Sequence, residues 1–264
     1  MKDRLLRVLE RGGVLRRAYR LYELAKSARP ERPGRRVAAD GLPVPPRRLI
    51  VRVAGTASAD WFLEGGHLGA ETIRAALARQ GRPLERLDAM LDFGCGCGRV
   101  TRYWADLEQT RVHGTDANAD AVDWCRRNLT FARFEANGLA PPLPHEAASF
   151  DLVYALSVFT HLTEDLQQRW MAELERVLRP GGLLMLTTHG DRYRERLTPA
   201  ERARFDAGDV VVRWSDAAGT NLCSAFHPRS YVEQRLATGL RPAEFVAEGA
   251  AGNPHQDLHV LRKP

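Results

Sequence analysis

The chain from residue 60 onward alternates between two patterns of apolar positions. Short apolar runs, typical of strands buried on both faces of a sheet, are separated by longer stretches with apolar residues at helical spacing. The predicted strands are 89–93, 111–114, 131–135, 150–156, 183–187, 244–248 and 257–261, and the predicted helices are 69–80, 100–107, 119–129, 165–178 and 228–237. This alternation predicts an α/β fold with a mostly parallel, doubly wound sheet.

The N-terminal part follows a different pattern. Residues 2–27 have apolar positions near helical spacing with a basic opposite face, and Gly12-Gly13 is expected to divide them into two short helices. The proline-rich stretch 28–46 is interpreted as a linker, or as an arm lying on the rest of the protein. The apolar residues of 49–53 are interpreted as a short strand.

Charge divides the chain into two expected units, a basic helical arm over 1–52 and one domain over 53–264. The arm holds 15 Lys and Arg and 5 Asp and Glu, a net charge of +10, whereas the domain has a net charge of −4. Three interpretations of the arm stay open: a solvated cover of the domain, a contact with an anionic membrane surface, or a contact with nucleic acid. Nucleic acid is not favoured, because the domain itself is acidic.

Other features exclude broad classes of protein. No apolar run approaches the ~18–20 residues of a membrane-spanning helix, which argues against an integral membrane protein. The N-terminus lacks the apolar core of a secretory signal. Four cysteines in 264 residues do not make a disulfide framework. We therefore expect a cytoplasmic protein, and the sequence leaves its oligomeric state open.

A glycine-rich turn follows the first predicted strand. Gly94, Gly96 and Gly98 let the backbone bend tightly and approach a ligand where a Cβ would intrude. The helix predicted after them would present free N–H groups and a positive dipole end to an anionic group. Asp92, at the strand end, can accept a hydrogen bond from a ligand ammonium group. A dinucleotide fingerprint G-x-G-x-x-G would need a glycine at position 99, which is Arg99.

A carboxylate also ends the second predicted strand. Asp116 lies 18 residues after Gly98 and can accept hydrogen bonds from both hydroxyls of a ribose. Nicotinamide enzymes use the same arrangement, so Asp116 alone does not discriminate between cofactors.

Five segments together resemble the class I S-adenosylmethionine-dependent methyltransferase family. They are D-x-G-x-G-x-G at 92–98 and the segments 141–144, 149–153, 157–162 and 173–182. They occur in the family's order and at its usual spacing, and the resemblance covers about residues 60–190. It implies a Rossmann-like, doubly wound, seven-stranded sheet and S-adenosyl-L-methionine as the cofactor.

The resemblance also implies roles for individual residues. Those that would contact the cofactor are Asp92, Gly94, Cys95, Gly96, Gly98 and Arg99 around its methionine end, Asp116 at the ribose, Ala117 and Asn137 at the adenine, and Leu156 and Ser157 beneath the sulfonium. No carboxylate cluster and no second Cys/His pair at metal-ligand spacing accompanies them. Metal-independent methyl transfer is therefore expected.

Two histidines are candidate catalytic residues. His161 follows the fourth predicted strand and His189 ends the fifth, at the sheet edge where ligands bind in such folds. Each can act as a general base or orient the nucleophile. Each can instead be a structural histidine, which is the favoured interpretation for His189, and His161 can also shape the cofactor site.

The sequence thus predicts transfer of a methyl group from S-adenosylmethionine to an oxygen, or less readily a nitrogen, of a small molecule. A sugar or polyhydroxylated metabolite is favoured, in a pocket built from 1–62 and 190–256. Two alternatives stay open: an NAD(P)-dependent oxidoreductase on the same fold, and a non-catalytic cofactor-binding partner protein. The missing dinucleotide fingerprint argues against the first.

Overall fold

A computed structural model describes residues 2–28, 37–253 and 255–264. Within these ranges the strands are β1 (Ala89–Phe93), β2 (Arg111–Asp116), β3 (Arg133–Ala136), β4 (Phe150–Ala155), β5 (Leu178–Thr188), β6 (Val211–Arg213), β7 (Ser224–Phe226), β8 (Arg241–Val246) and β9 (Asp257–Arg262). The α-helices are α1 (Lys2–Arg11), α2 (Leu15–Ser27), α3 (Arg47–Ala54), α4 (Ala59–Arg79), α5 (Ala119–Asn128), α6 (Glu164–Val177), α7 (Pro199–Asp206) and α8 (Arg229–Tyr231).

One seven-stranded sheet has the order β3-β2-β1-β4-β5-β9-β8. Strands β1 to β5 are parallel, and β9 runs antiparallel to both β5 and β8. The order reverses between β1 and β4, which pair with Leu91 opposite Val153. The predicted fold, a doubly wound, mostly parallel, seven-stranded sheet, is confirmed.

Apolar side chains pack on both faces of the central strands. On one face Phe93 of β1 contacts Trp170 of α6, with ring centroids 4.6 Å apart. On the other, the indole N–H of Trp104 donates to the hydroxyl of Tyr154 on β4 over 2.8 Å, beside Ile73 of α4. Burial on both faces explains why these strands are continuous apolar runs rather than alternating ones.

Two predictions about local structure were wrong, and one pair of strands was missed. The predicted strand 49–53 is part of helix α3, because a short apolar run is compatible with either element. The predicted helix 100–107 contains only a four-residue 3₁₀ helix, Thr101–Trp104. The hairpin of β6 and β7 was not predicted, since each strand has only three residues.

Helix α4 is also longer than its predicted range of 69–80. It begins at Ala59, where the Ser58 hydroxyl accepts a hydrogen bond from the backbone N–H of Trp61 over 3.2 Å. This side-chain cap satisfies one of the free donors at the helix start. Trp61 and Phe62 therefore lie in the first turn of α4.

The N-terminal arm forms two helices separated at Gly13, whose φ of +64° is easily reached by glycine. Of the predicted linker, residues 29–36 lie outside the described ranges. The following segment is fixed by the buried guanidinium of Arg102, which forms an ion pair with Asp40 over 2.6 Å. The boundary expected after residue 52 falls inside α3, whose Leu49 and Ile50 are buried in the domain core.

No helix in the described ranges is both long enough and apolar enough to cross a membrane.

Candidate active site

The carboxyl ends of β1, β2 and β4 open into a cavity of about 470 Å³. Parallel strands bring their carboxyl ends to one edge of the sheet, and the reversal of strand order leaves a crevice there. Eleven of the thirteen predicted site residues line this cavity: Asp92, Gly94, Cys95, Gly96, Arg99, Asp116, Ala117, Asn137, Leu156, Ser157 and His161. The other two, Gly98 and His189, lie outside its lining.

The glycine turn after β1 forms one wall of the cavity. Gly94 and Gly96 have φ angles of +78° and +55°, which residues other than glycine rarely adopt. A Cβ at Gly96 would lie 2.6 Å from a methyl carbon of Val53. Gly98 instead leaves room for Leu129 of the domain core, because a Cβ there would lie 2.3 Å from its side chain. Backbone, rather than side chains, therefore faces the cavity here.

The turn differs from the sequence prediction in one respect. A long helix was expected to direct its N-terminus at the ligand, but the residues after Gly98 form turns and the short 3₁₀ helix. Apolar residues at 100, 103, 104 and 107 fit either structure, which is why the spacing did not discriminate between them. The site consequently lacks the helix dipole that was predicted for it.

Asp116 lies at the end of β2 and braces the glycine turn. One carboxylate oxygen accepts from the backbone N–H of Gly96 over 2.8 Å, and the other from that of Asn118 over 2.7 Å. Each oxygen keeps a second lone pair, so both can also accept a hydroxyl of a ribose. Burial raises the pKa of Asp116 above its ordinary value.

Asp92 lies at the end of β1, deeper in the cavity. Its carboxylate accepts from the hydroxyl of Thr101 over 2.5 Å, and the residue is only 5% exposed. Burial raises the pKa of Asp92 to about 7, although the hydrogen bond from Thr101 opposes this shift. A cationic ammonium group of a ligand would favour the ionised carboxylate.

Arg99 lines the cavity, but its two terminal nitrogens are already engaged. The guanidinium donates to the carbonyl of Gly252 over 3.0 Å and to the side-chain oxygen of Asn253 over 2.5 Å. These two residues belong to the loop before β9. Arg99 therefore ties that loop to the glycine turn, in addition to facing the cavity.

Asn137, after β3, holds an unsatisfied acceptor beside the cavity. Its side-chain amide donates to the carbonyl of Gly138 over 2.7 Å, whereas its side-chain oxygen is buried and has no hydrogen-bond partner. Buried acceptors are rarely left unpaired. An amino group such as that of adenine would satisfy this oxygen.

His161 lies in a short 3₁₀ turn after β4, opposite the glycine turn. Its Nδ1 lies 2.7 Å from the carbonyl oxygen of Cys223. A carbonyl can only accept, so Nδ1 carries the proton and Nε2 keeps its lone pair. Burial lowers the pKa of His161, which keeps the ring neutral and able to accept a proton at neutral pH.

His189, at the end of β5, is packed behind the cavity. Its ring lies against Tyr193, with centroids 4.2 Å apart, and its Nδ1 donates to the carbonyl of Ala225 over 3.1 Å. Burial lowers the pKa of His189 to about 3. This histidine is therefore neutral at physiological pH and packs against Tyr193 and Phe226.

Gln256 connects the two histidine regions and was not predicted as a site residue. Its side-chain amide donates to the hydroxyl of Ser157 over 2.9 Å and lies 3.4 Å from His189 Nε2, and its oxygen accepts from Thr187 over 2.7 Å. Ser157 adopts a φ of +60°, and its backbone N–H donates to Thr187. Non-glycine residues in this region of φ are often found at functional sites.

The arm contributes a further set of residues that sequence reasoning missed. They are Arg16, Arg20 and Glu23 of α2 and Arg52 of α3, facing Asn221 of the loop between β6 and β7. The sequence had placed the basic arm within the acceptor pocket of 1–62 and 190–256, and the spacing of four between Arg16 and Arg20 puts both on one face of a helix.

Fold and site together define an α/β domain whose cavity is suited to a nucleoside-containing cofactor. Three features of the site fit S-adenosylmethionine. The backbone of the glycine turn can hold a small polar group, the carboxylate of Asp116 can accept two hydroxyls, and the side-chain oxygen of Asn137 is an unpaired acceptor near the expected position of the adenine. Residues 91–186 match the family model of a methyltransferase domain. This match assigns the central part of the chain, which carries the glycine turn, Asp116 and His161, to the methyltransferase domains.

Curated relatives are similar over part of their length. The chain is 31% identical to a malonyl-[acyl-carrier protein] O-methyltransferase of Enterobacter lignolyticus over 144 residues, which is 54% of this chain and 55% of the relative. It is 34% identical to a fatty-acid O-methyltransferase of Mycolicibacterium smegmatis over 120 residues, 45% of this chain and 42% of the relative. The chain thus spans about half the length of these relatives.

Solved structures share the fold. A methyltransferase from Methanosarcina mazei superposes with a TM-score of 0.52 at 20% identity, over 70% of this chain and 96% of that chain. A 1,6-didemethyltoxoflavin-N1-methyltransferase from Burkholderia thailandensis superposes with a TM-score of 0.52 at 21% identity, over 74% of this chain and 76% of that chain. At this identity the likeness concerns the fold alone.

Proposed function

We propose that this protein transfers the methyl group of S-adenosylmethionine to an oxygen atom of a small molecule. One observation carries the proposal: a single cavity joins the glycine turn and Asp116 to His161, whose Nε2 keeps a lone pair. The relatives named O-methyltransferases support oxygen as the acceptor atom. A sugar or polyhydroxylated metabolite remains the favoured acceptor.

The residues at the ends of β1 to β3, together with the glycine turn, have a binding and orienting role. Asp116 and the backbone of Gly94 and Gly96 hold the ribose and the methionine end, Asp92 faces the ammonium group, and Asn137 accepts from the adenine. When bound, S-adenosylmethionine supplies a methyl group on a positively charged sulfur that an oxygen can attack. Because the methyl donor is already activated, the protein contributes mostly by alignment and by exclusion of water.

His161 has the proton-transfer role. A hydroxyl must lose its proton as its oxygen bonds to carbon, and Nε2 of the neutral imidazole accepts that proton. The hydrogen bond from Nδ1 to the carbonyl of Cys223 holds the ring in this tautomer and stabilises the imidazolium that forms. His189 does not take this role, because its ring is enclosed by Tyr193 and Phe226.

The proposal is tested in two stages. Isothermal titration of the purified protein with S-adenosylmethionine should give saturable binding, and absence of binding by the wild type would overturn the proposal. A panel of hydroxylated small molecules is then screened for formation of S-adenosylhomocysteine. Binding without turnover on any acceptor would favour the alternative of a non-catalytic cofactor-binding partner.

The match of residues 91–186 to a methyltransferase domain argues against the oxidoreductase alternative. Titration with NADH, followed by fluorescence, should accordingly show no saturable binding. The cytoplasmic location, the metal-independent reaction and a contact of the arm with membranes stay predictions. Exposed Leu21, Tyr22 and Leu24 on α2 support the last of these.

A further inference from the structure

The arm places two arginines over the cavity. Arg16 and Arg20 lie one helical turn apart on α2 and line the same cavity as His161. Helix α2 is held in place by Leu15, which is only 1% exposed, and by Lys26, whose ammonium group donates to the carbonyl of Gly55 over 2.5 Å. The two guanidinium groups are therefore presented by an anchored helix.

A second cavity continues from the first along α2. Its volume is about 500 Å³, and it shares Arg16 and Arg20 with the first cavity while adding Gly13, Arg17 and Asp216. None of these lining residues has an apolar side chain. This space is unsuited to a hydrocarbon chain, because burying apolar surface is favourable only against other apolar groups.

Most of the positive charge of the arginines that line the two cavities is not balanced by a nearby carboxylate. Arg52 is already engaged, with Asn118 at 3.1 Å, Asp120 at 3.8 Å and Glu23 at 3.9 Å. Within the described ranges, by contrast, no carboxylate oxygen lies within 4.0 Å of the guanidinium groups of Arg16, Arg17 or Arg20.

The nearby carboxylates do not cancel this charge. Glu23 is buried, and burial raises its pKa, with Arg52 and Arg20 acting in the opposite direction. Asp216 is exposed and makes no ion pair within the described residues. The shared mouth of the two cavities therefore keeps an excess of positive charge.

We propose that the methyl acceptor carries a phosphate or carboxylate group, bound between Arg16 and Arg20 with Arg17 beside them. This inference rests on the proposed methyltransferase function and specifies its substrate class. Guanidinium groups bind such oxyanions with paired N–H donors. The anionic group would lie in the second cavity, so that the hydroxyl of the same molecule reaches His161 in the first.

The test compares two double variants with equal change in charge. In Arg16→Gln/Arg20→Gln both cavity arginines are lost, whereas the control Arg7→Gln/Arg11→Gln removes two exposed arginines of α1 that line neither cavity. Both proteins and the wild type are saturated with S-adenosylhomocysteine. Each is then titrated by calorimetry with inorganic pyrophosphate and, separately, with succinate, which distinguishes phosphate from carboxylate as the preferred group.

We expect at least one of the two anions to bind the wild type and the control with equal affinity. The cavity variant should bind it about tenfold more weakly or worse. Equal affinity in both variants, or no binding to the wild type, would overturn the proposal. Affinity for S-adenosylhomocysteine is measured first: a loss confined to the cavity variant would assign these arginines to the cofactor instead.

A second readout uses turnover. The wild type is given pairs of acceptors that differ only in one phosphate or carboxylate group, and formation of S-adenosylhomocysteine is followed. The charged member should be the better substrate, and its advantage should disappear in Arg16→Gln/Arg20→Gln. A wild type that methylates only neutral acceptors would contradict this inference but support the proposed function, so the two can fail separately.

Discussion

The two walls of the cavity are built in different ways. On the sheet wall the functional groups are backbone atoms of the glycine turn and short carboxylates at strand ends, buried at Asp92 and half-buried at Asp116. Asp116, for example, accepts two backbone hydrogen bonds at 2.7 and 2.8 Å. On the arm wall they are long, exposed side chains of α2, of which Arg16 and Arg20 make no ion pair within the described ranges.

Because the two walls are built differently, they suit two different tasks, binding of the cofactor and binding of the methyl acceptor. A wall fixed by backbone hydrogen bonds loses little entropy when it binds and suits one constant cofactor. A wall of long side chains on an added segment can be altered without disturbing the sheet, and therefore suits an acceptor that differs between enzymes. Substitutions on the two walls should thus affect different measurable quantities.

The largest effect is expected on the sheet wall. Asp116→Ala should weaken S-adenosylhomocysteine binding about 100-fold, because it removes the charged acceptor of two ribose hydroxyls. Isothermal titration measures the affinity, and thermal unfolding shows whether the fold is retained. The control is Asp123→Ala, an exposed carboxylate on α5 that lines neither cavity and should leave affinity unchanged. Equal affinities for the two variants would contradict the assignment.

His161 lines the cavity together with residues of both walls, and its loss should affect rate rather than binding. His161→Ala should lower kcat at least about tenfold, at the low end of general-base contributions, while the affinity for S-adenosylhomocysteine stays within about twofold. His67→Ala, an exposed histidine of α4, is the control. A variant with lowered affinity and unchanged kcat would assign His161 to cofactor shaping.

The pH dependence of kcat provides a smaller but independent test. Burial lowers the pKa of His161 below its ordinary value of 6.5, so the neutral, active form persists into mildly acidic solution. At saturating cofactor, which removes the effect of Asp92 on binding, kcat should fall to half of its plateau only below pH 6.5. A half-maximal kcat above pH 6.5 would exclude His161 as the base.

The smallest effect on cofactor binding is expected at Arg99, whose guanidinium is directed at the loop before β9. Arg99→Met should reduce the free energy of unfolding by about 1–3 kcal/mol, because it leaves the carbonyl of Gly252 unpaired. The affinity for S-adenosylhomocysteine should change less than about threefold. Arg169→Met, which breaks an exposed pair with Asp165, should cost less than about 1 kcal/mol. A loss of affinity without loss of stability would instead place Arg99 on the cofactor.

Sequence alone determined the elements that depend on local pattern. The seven strands, the glycine turn at Gly94 and Gly96, and the carboxylate of Asp116 follow from apolar runs and fixed spacing, and the strand order then brings them to one edge. Local spacing did not predict the short 3₁₀ helix after Gly98 or the helix α3, because the apolar pattern of each segment is compatible with two kinds of element.

Only the tertiary structure decided which distant residues complete the site. The tautomer of His161 is set by a carbonyl 62 residues away, that of Cys223, and Arg99 is engaged by a loop more than 150 residues distant. Ser157 and Gln256 meet across 99 residues. The sequence assigned the basic charge to the arm, and only the tertiary structure placed Arg16 and Arg20 of α2 at the cavity. Such contacts depend on how elements pack, and no local pattern of residues encodes them.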